Sequence, residues 1–321
     1  MTHATPEPDA MLDALIIGGG PAGLTAAIYL ARFKRRFRLV DAGSSRADWI
    51  PESHNIPFFG DGIRGPDIVA RARSHAERYG VRPVAGHVEA LERHEGGFAA
   101  QVREDTGERR LLRARRVVLA TGAVDMEPDL PDLPGAVRRG LVRYCPICDG
   151  FESRDRRIAV IGHGAQGLGE AAFIARTYSN DVSLLSLGQP LALDEEGMAL
   201  ARRHNIRLVE QPVAALEVDG GRIAAIRTGD GAVLRFDLLY SALGLHYRNE
   251  LGLALGAAHD RSGALTVDSH NRTSVGGLYA AGDIVRGLDQ IVVGMGHAAL
   301  AATHIHNHCE LPTEDEPAEP G

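Results

Sequence analysis

The residues best equipped for chemistry are Cys145 and Cys148, held in the run Arg143-Tyr144-Cys145-Pro146-Ile147-Cys148-Asp149-Gly150. Two thiols three positions apart, with a carboxylate directly after them, make a redox couple. A thiolate, not a thiol, is the attacking species, so a working pair needs at least one lowered pKa. A helix beginning at the motif supplies this through the positive end of its dipole. Pro146 suits such a start, because the first turn of a helix tolerates a missing N–H. Asp149 is placed to protonate a leaving thiolate during exchange. Two other readings compete. Half a zinc site needs a second pair of ligands, and the only other cysteine is Cys309. A structural disulfide needs an oxidising compartment, and residues 1–10 carry Pro and acids with no apolar core of a secretory signal. What flanks the pair favours redox chemistry.

On either side lies a glycine-rich turn of the kind that cradles phosphate. The first is G-x-G-x-x-G from Gly18 through Gly20 and Pro21-Ala22 to Gly23, preceded by the apolar run 12–17 and followed by a helical pattern through Ala31. Gly18 permits the tight turn, Gly20 lets a pyrophosphate approach, and Gly23 lets helix pack on strand. A second strand over 37–40 ends in Asp41, an acid placed to bind a ribose hydroxyl pair. The second turn, Gly162, Gly164 and Gly167, opens 144 residues after the first, behind a strand over 157–161. It leads into a helix through Tyr178 and a strand over 182–185.

The rest of the chain repeats this plan. Residues 65–79 read as a helix, 86–116 as a β-meander with a turn at Asp105-Thr106-Gly107, and 117–120 as a buried strand ending in Thr121-Gly122. In the second copy, strands are expected near 206–209, 213–218, 222–228 and 232–235, then over 238–242 into Leu243-Gly244. An internal repeat of this content predicts two related dinucleotide-binding domains. Beyond Gly244 come a strand over 264–267, a strand ending in Gly282-Asp283, and a helix over 290–306. This last stretch has no glycine fingerprint, so it completes the first domain and leaves the second as an insertion. The expected class is α/β, with two Rossmann-like three-layer (ββα) domains divided as 1–121 with 246–321, and 122–245. The segment 44–62, rich in Trp49, Pro51, His54, Asn55, Phe58 and Phe59, reads as a covering loop.

Composition sets the outer bounds. The 321 residues are 44% hydrophobic and 24% charged, which describes a soluble globular chain. The net charge of -7 speaks against a nucleic-acid surface, and no apolar run is long enough to span a bilayer. Three cysteines, two of them in one motif, fit the reducing cytoplasm. His304 and His308 have the spacing of metal ligands, but a solvated, frayed helix end is the plainer expectation, as is an acidic, disordered tail after Glu310. His297 is either a core histidine or a contact to a bound group.

Taken together, Gly-Gly-Gly-Pro-Ala-Gly-Leu-Thr-Ala-Ala, Ala-Thr-Gly, Cys-Pro-Ile-Cys-Asp-Gly and Ala-Ala-Gly-Asp, in this order over residues 12–307, resemble the low-molecular-weight thioredoxin reductases. The resemblance implies FAD held by Gly18, Gly20, Pro21, Ala22, Gly23, Asp41, Asn55, Thr121 and Gly122. It implies Gly282 and Asp283 at the ribityl chain, and Gln290 and Ile291 near the ring. It implies that Cys148 faces the flavin and Cys145 attacks a partner disulfide, with Asp149 as acid. It further implies NAD(P)H at Gly162, Gly164 and Gly167, a thioredoxin-like protein or small disulfide as substrate, a homodimer, and a second domain that rotates about Gly122-Ala123 and Leu243-Gly244.

The departures from that family are local. After its second-domain strand the family carries His-Arg-Arg and a later Arg, which clamp the 2′-phosphate of NADPH. Here Ser186-Leu187-Gly188-Gln189 stands instead, with neither guanidinium nor acid. Glu170 is kept, whereas His163, Gln166, Gly167 and Gly169 replace smaller or acidic residues of the family. Segment 44–59 lacks the usual Gly-Gln-Leu. The donor therefore stays open between NADPH, NADH and none. Three functions follow: a disulfide reductase, a dithiol oxidase or ferredoxin-fed variant built from the same parts, and a non-catalytic flavin sensor.

Overall fold

The structure is a computed structural model, and it describes residues 11–128, 133–219 and 222–310. The turn expected at 219–221 and the tail after Glu310 lie largely outside those residues. In chain order the elements are β1 (Leu12–Ile17), α1 (Pro21–Arg32), β2 (Phe37–Asp41), α2 (Gly65–Glu77), β3 (Val84–His94), β4 (Gly97–Glu104), β5 (Arg109–Leu119) and β6 (Ala123–Asp125). There follow α3 (Leu133–Arg138), β7 (Val142–Arg143), α4 (Pro146–Asp149), β8 (Ile158–Ile161), α5 (Gly164–Thr177), β9 (Val182–Leu185), α6 (Glu195–Arg203) and β10 (Arg207–Val209). The remainder is β11 (Val213–Asp219), β12 (Arg222–Thr228), β13 (Val233–Leu234), β14 (Leu238–Ser241), β15 (Leu245–Tyr247), α7 (Glu250–Ala254), β16 (Leu278–Ala280) and α8 (Ile291–His308). Among the described residues no helix is long and apolar enough to cross a membrane.

The chain divides into two compact units. The first comprises residues 1–48, 65–124 and 246–321. Its parallel strands run in the order β3-β2-β1-β5-β16, and β4 pairs antiparallel with both β3 and β5. The meander and the buried strand separated in the sequence reading are one element here. The first half of β5 faces β4 (Arg103↔Arg109 to Phe98↔Ala114), and its second half faces β1 (Leu12↔Ala114 to Ile17↔Leu119). That second half, Val117, Val118 and Leu119, is fully buried, as expected of a strand covered on both faces. The strand expected over 264–267 does not form. Leu265 makes only isolated bridges to His259 and Val285, and it is residues 271–273 that meet the outer edge of β16, through Ala280 N to Asn271 O at 3.1 Å and Thr273 N to Leu278 O at 2.9 Å.

The second unit comprises residues 49–64 and 125–245. Its strands are all parallel, in the order β10-β9-β8-β14-β7, and β11-β12-β13 form a separate antiparallel sheet. Strand for strand this is the order of the first unit. The registers agree as well: Ile17 faces Val40 where Ile161 faces Leu185. Gly18 N–H donates to Val40 O at 2.8 Å, and Gly162 N–H donates to Leu185 O at 3.0 Å.

The C-terminal helix α8 is fixed to the first unit by a buried cation. Arg116, on the buried half of β5, is wholly inaccessible, and its guanidinium donates to the carbonyls of His308 and Cys309 (3.2 Å for the latter). A cation at the end of a helix both caps orphan carbonyls and meets the negative end of the dipole. The histidines near this end are packed rather than frayed. Tyr279 and His304 share a 2.8 Å hydrogen bond, His304 stacks on His308, and His306 stacks on Phe33 with Arg35 donating to its carbonyl. The free thiol of Cys309 is 2% exposed, and burial pushes its pKa up. Arg116→Met should therefore destabilise the first unit by about 2–4 kcal/mol, through orphaned carbonyls and lost packing. Thermal unfolding of purified protein measures this, with the solvent-exposed Arg36→Met, whose nearest acid Asp13 is 3.8 Å away, expected to stay near the parent.

Candidate functional site

In the first unit the glycine turn is shaped by backbone contact. Gly18 has φ +110°, and a Cβ there would lie 2.2 Å from Ala120 O; one on Gly23 would lie 1.8 Å from Gly18 O. Only hydrogen fits at either place. Gly20 caps α1, and the helix begins at Pro21-Ala22 with no side-chain cap and no acid in its first turn. An uncapped N-terminus of twelve residues leaves donors and the positive dipole end for an anion. Asp41, at the end of β2, accepts from Gly19 N (3.2 Å) and Gly43 N (3.0 Å) and pairs with Arg73 at 2.6 Å. A carboxylate held in this way still has lone pairs to offer a diol.

The remaining residues expected in this unit border the same sheet. Thr121 donates to Arg248 O at 2.6 Å, and Gly122 has φ +71°. Gly282 has φ +85°, and its Cβ would lie 3.0 Å from that of Ala22, which brings the Gly-Asp turn against the start of α1. Asp283 is ion-paired with Arg46 at 3.1 Å, a partner the sequence did not suggest. Gln290 is buried at the N-cap of α8, and Ile291 is the first residue of that helix. His297 lies in the middle of α8. Its Nδ1 is buried with no hydrogen-bond partner among the described residues, and burial pulls its pKa down.

In the second unit β7 delivers the chain into α4. Cys145 and Cys148 are joined as a disulfide, with Cα atoms 5.4 Å apart. Cys145 is the N-cap, and its Sγ accepts from Cys148 N at 3.2 Å. That donor is available to whatever negative charge Cys145 acquires. Gly150 closes the turn where nothing larger fits, since a Cβ would lie 2.3 Å from both Pro146 O and the Tyr178 ring. The Asp149 side chain is only 13% exposed. It accepts from Tyr240 OH at 2.7 Å and pairs with Arg143 at 3.2 Å. Burial raises its pKa above the usual carboxylate range, with Arg143 and Tyr240 pulling the other way. Segment 49–64 belongs to this unit: His54 N donates to Cys148 O (3.4 Å), and the Asn55 amide donates to Ile147 O (3.3 Å). Asn55 thus stands beside the dithiol helix, in a different unit from the other residues expected to hold flavin.

The second glycine turn has the same uncapped character. A Cβ on Gly162 would lie 2.7 Å from Gly167 Cα, Gly164 has φ +55°, and α5 starts without side-chain cap or acid. By contrast α6 is capped by Asp194 and opens with Glu195 and Glu196. Three buried polar atoms near the turn lack hydrogen-bond partners among the described residues: His163 Nδ1, Glu170 Oε1 and Ser241 Oγ. Burial and the Asp125 carboxylate push the Glu170 pKa up to about 7. At the corner matching Asp41 sits Ser186, wholly buried, its hydroxyl donated to Gln189 O. The loop beyond is tied back by Glu210, which accepts from Leu191 N at 2.8 Å, while Leu191 O accepts from Gly164 N at 3.0 Å.

Two dinucleotide-type turns and a disulfide backed by a carboxyl define a flavoprotein-like disulfide oxidoreductase. The profile of the Pyridine nucleotide-disulphide oxidoreductase family matches residues 12–303, and the chain belongs to that family. It is similar to the thioredoxin reductase of Streptomyces coelicolor, at 32% identity over 96% of this chain and 97% of that one. It is also similar to the thioredoxin reductase of Listeria innocua, at 27% over 94% and 95%. The solved thioredoxin reductase of Streptococcus pyogenes superposes with a TM-score of 0.84 at 25% identity, covering 94% of this chain and 99% of that one. The protein is a thioredoxin-reductase-like disulfide oxidoreductase. Its family implies FAD and a nicotinamide cofactor, and the uncapped helix starts and unpartnered buried atoms fit such groups.

The residues with no functional signal in the sequence are those whose partners come from distant strands. Tyr240 reads as one more apolar strand residue, and Arg143 as a charge beside the motif. A glycine test separates the close contacts from the open ones. Gly23→Ala should purify without flavin absorbance, whereas Gly169→Ala, with nothing within 4 Å of its added methyl, should retain it.

Proposed function

We propose that the protein passes electrons from a reduced nicotinamide nucleotide, through FAD, to the Cys145–Cys148 disulfide and on to a thioredoxin-like protein disulfide. In this reading residues 1–121 and 246–321 hold FAD, and 122–245 hold the nucleotide and carry the dithiol. Gly18, Gly20, Pro21, Ala22 and Gly23 take the flavin pyrophosphate on the start of α1, and Asp41 takes the ribose. Thr121, Gly122, Gly282, Asp283, Gln290 and Ile291 line the rest. Gly162, Gly164 and Gly167 take the second nucleotide. The observation that carries the reading is a disulfide whose neighbouring carboxyl is kept out of water and hydrogen-bonded.

Bound FAD supplies two-electron chemistry by accepting hydride and returning an electron pair. The protein's part is proton management and nucleophile supply. When the S–S bond receives the pair, one sulfur leaves as thiolate and takes the Asp149 proton. The other stays a thiolate, held in the case of Cys145 by Cys148 N–H. Cys145 then attacks the partner disulfide, and Cys148 closes the ring to release a reduced partner. Asp149 regains its proton from solvent.

The corner at Ser186 supports a donor without a 2′-phosphate. No guanidinium stands in the 186–189 turn, and the carboxylate of Glu210 is tied to the loop just beyond it, at Leu191 N. A doubly charged phosphate gains no bidentate partner there and meets a like charge. The family resemblance supports a homodimer, and the cysteine usage supports a cytoplasmic setting.

Rapid mixing of the holoenzyme with each nucleotide tests the donor. NADH should bleach the flavin with at least about tenfold higher kcat/KM than NADPH, the worth of one missing charged clamp. Bleaching by neither nucleotide overturns the proposal. Cys148→Ser should keep flavin reduction by the nucleotide and lose all transfer to a thioredoxin.

A further inference from the structure

The acid role of Asp149 proposed above leaves unstated what sets its proton affinity, and the sheet of the second unit bears on that question. Arg143 on β7 and Tyr240 on β14 are register partners in a parallel pair. Neighbours in register on adjacent strands point to the same face. Both therefore reach one point above the sheet, and α4 brings Asp149 to it. Tyr240 OH donates to one carboxylate oxygen at 2.7 Å, and Arg143 Nη1 lies 3.2 Å from the other. Ser153 closes the ring. Its hydroxyl donates to Asp149 O (3.1 Å), accepts from Arg143 (2.9 Å) and lies 3.2 Å from Tyr240 OH.

Tyr240 is fully inaccessible, so its hydroxyl is a polar group placed in a core strand otherwise apolar up to Ser241. A phenol in that position costs free energy unless its hydrogen bond is made. A phenylalanine would fill the same volume without that cost, so the hydroxyl stands out as a feature packing alone does not require. The other charged or titratable groups around Asp149 are Glu152 on the following turn, Tyr178 packed against Gly150, and the His54–Glu52 pair (3.3 Å), whose His54 backbone touches Cys148. None of them is hydrogen-bonded to the carboxylate in the way Tyr240 and Arg143 are.

We infer that Arg143 and Tyr240 are positioning residues that tune the proton held by Asp149 for cleavage of the Cys145–Cys148 disulfide. Each stabilises the carboxylate form, one by charge and one by a donated hydrogen bond, against a burial that favours the acid form. The balance leaves a carboxyl that can both give a proton to a leaving thiolate and recover it.

The test uses oxidised holoenzyme and dithiothreitol, so that it does not depend on the nicotinamide donor. A dithiothreitol thiolate attacks one sulfur of the disulfide, the other sulfur leaves and takes the Asp149 proton, and the second dithiothreitol thiol then closes its own ring. Quenched alkylation gives the rate, which is divided by the dithiothreitol thiolate concentration at each pH. For the parent this normalised rate falls above the Asp149 pKa, because the proton is then missing. Tyr240→Phe removes a donor to the carboxylate, so the fall should move about one pH unit upward. Arg143→Gln should move it upward at least as far, and Arg143→Lys should restore it. Asp149→Asn should be slow, with no such fall. If Asp149→Asn keeps the parental profile, the acid role itself fails. If Asp149→Asn loses the fall while Tyr240→Phe and Arg143→Gln keep the parental midpoint, only the tuning is overturned. A Tyr240→Phe enzyme that is merely slower at every pH also counts against it.

Discussion

Keeping a carboxyl out of water beside a reactive disulfide is the constraint around which the second unit is built. An isolated buried carboxylate costs several kcal/mol, so it must find a donor, a counter-charge or a proton. Asp149 has access to all three. Tyr240 donates, Arg143 supplies charge, and burial favours the proton. The arrangement needs β7 at the sheet edge beside β14, with Arg143 level with Tyr240. It also needs the chain to turn straight from that strand into α4 without a side chain at Gly150. Sheet order, register and one missing Cβ are thus prerequisites of this arrangement.

The two units share one strand order but differ at the corner after the second strand. In the first, the corner after the second strand carries Asp41, with Gly19, Gly43 and Arg73 arranged around its carboxylate. In the second, the same corner is closed by Ser186, whose hydroxyl turns inward to its own loop. Glu210, arriving from the end of the neighbouring strand, accepts from Leu191 N in the loop beyond. The common scaffold is the backbone contact between first strand and fingerprint helix, which tolerates only glycine. What it binds is set by a few side chains at the strand ends.

Much of this was legible in the residue order. The glycine turns, Asp41, Cys145, Cys148 and Asp149 announce themselves because their chemistry depends on short spacings within one turn or helix start. So do β1, β8, β9 and β14, each a brief and mostly apolar run, whereas the two-residue β7, Val142–Arg143, carries no such pattern. The misses have physical causes. Residues 264–267 look like a strand in isolation, but pairing depends on a free sheet edge, and residues 271–273 take the one at β16. The helix α6 was passed over although Asp194, Glu195 and Glu196 at its start and Arg202 and Arg203 at its end are orthodox helix-end charges. The histidines of α8 looked solvated because nothing local reveals that Tyr279, Phe33 and Arg35 come to meet them. Tyr240 and Asp149 are 91 residues apart, and no local pattern signals a partnership over that distance.

The burial of Cys309 has a practical side. With that sulfur sealed beneath the end of α8 and its proton held more tightly than usual, only the catalytic pair presents reachable sulfur while the protein stays folded. A thiol-specific dye applied under native conditions becomes a direct electron counter: silent for the oxidised protein, two equivalents after full reduction, with a third equivalent reporting that the fold has opened.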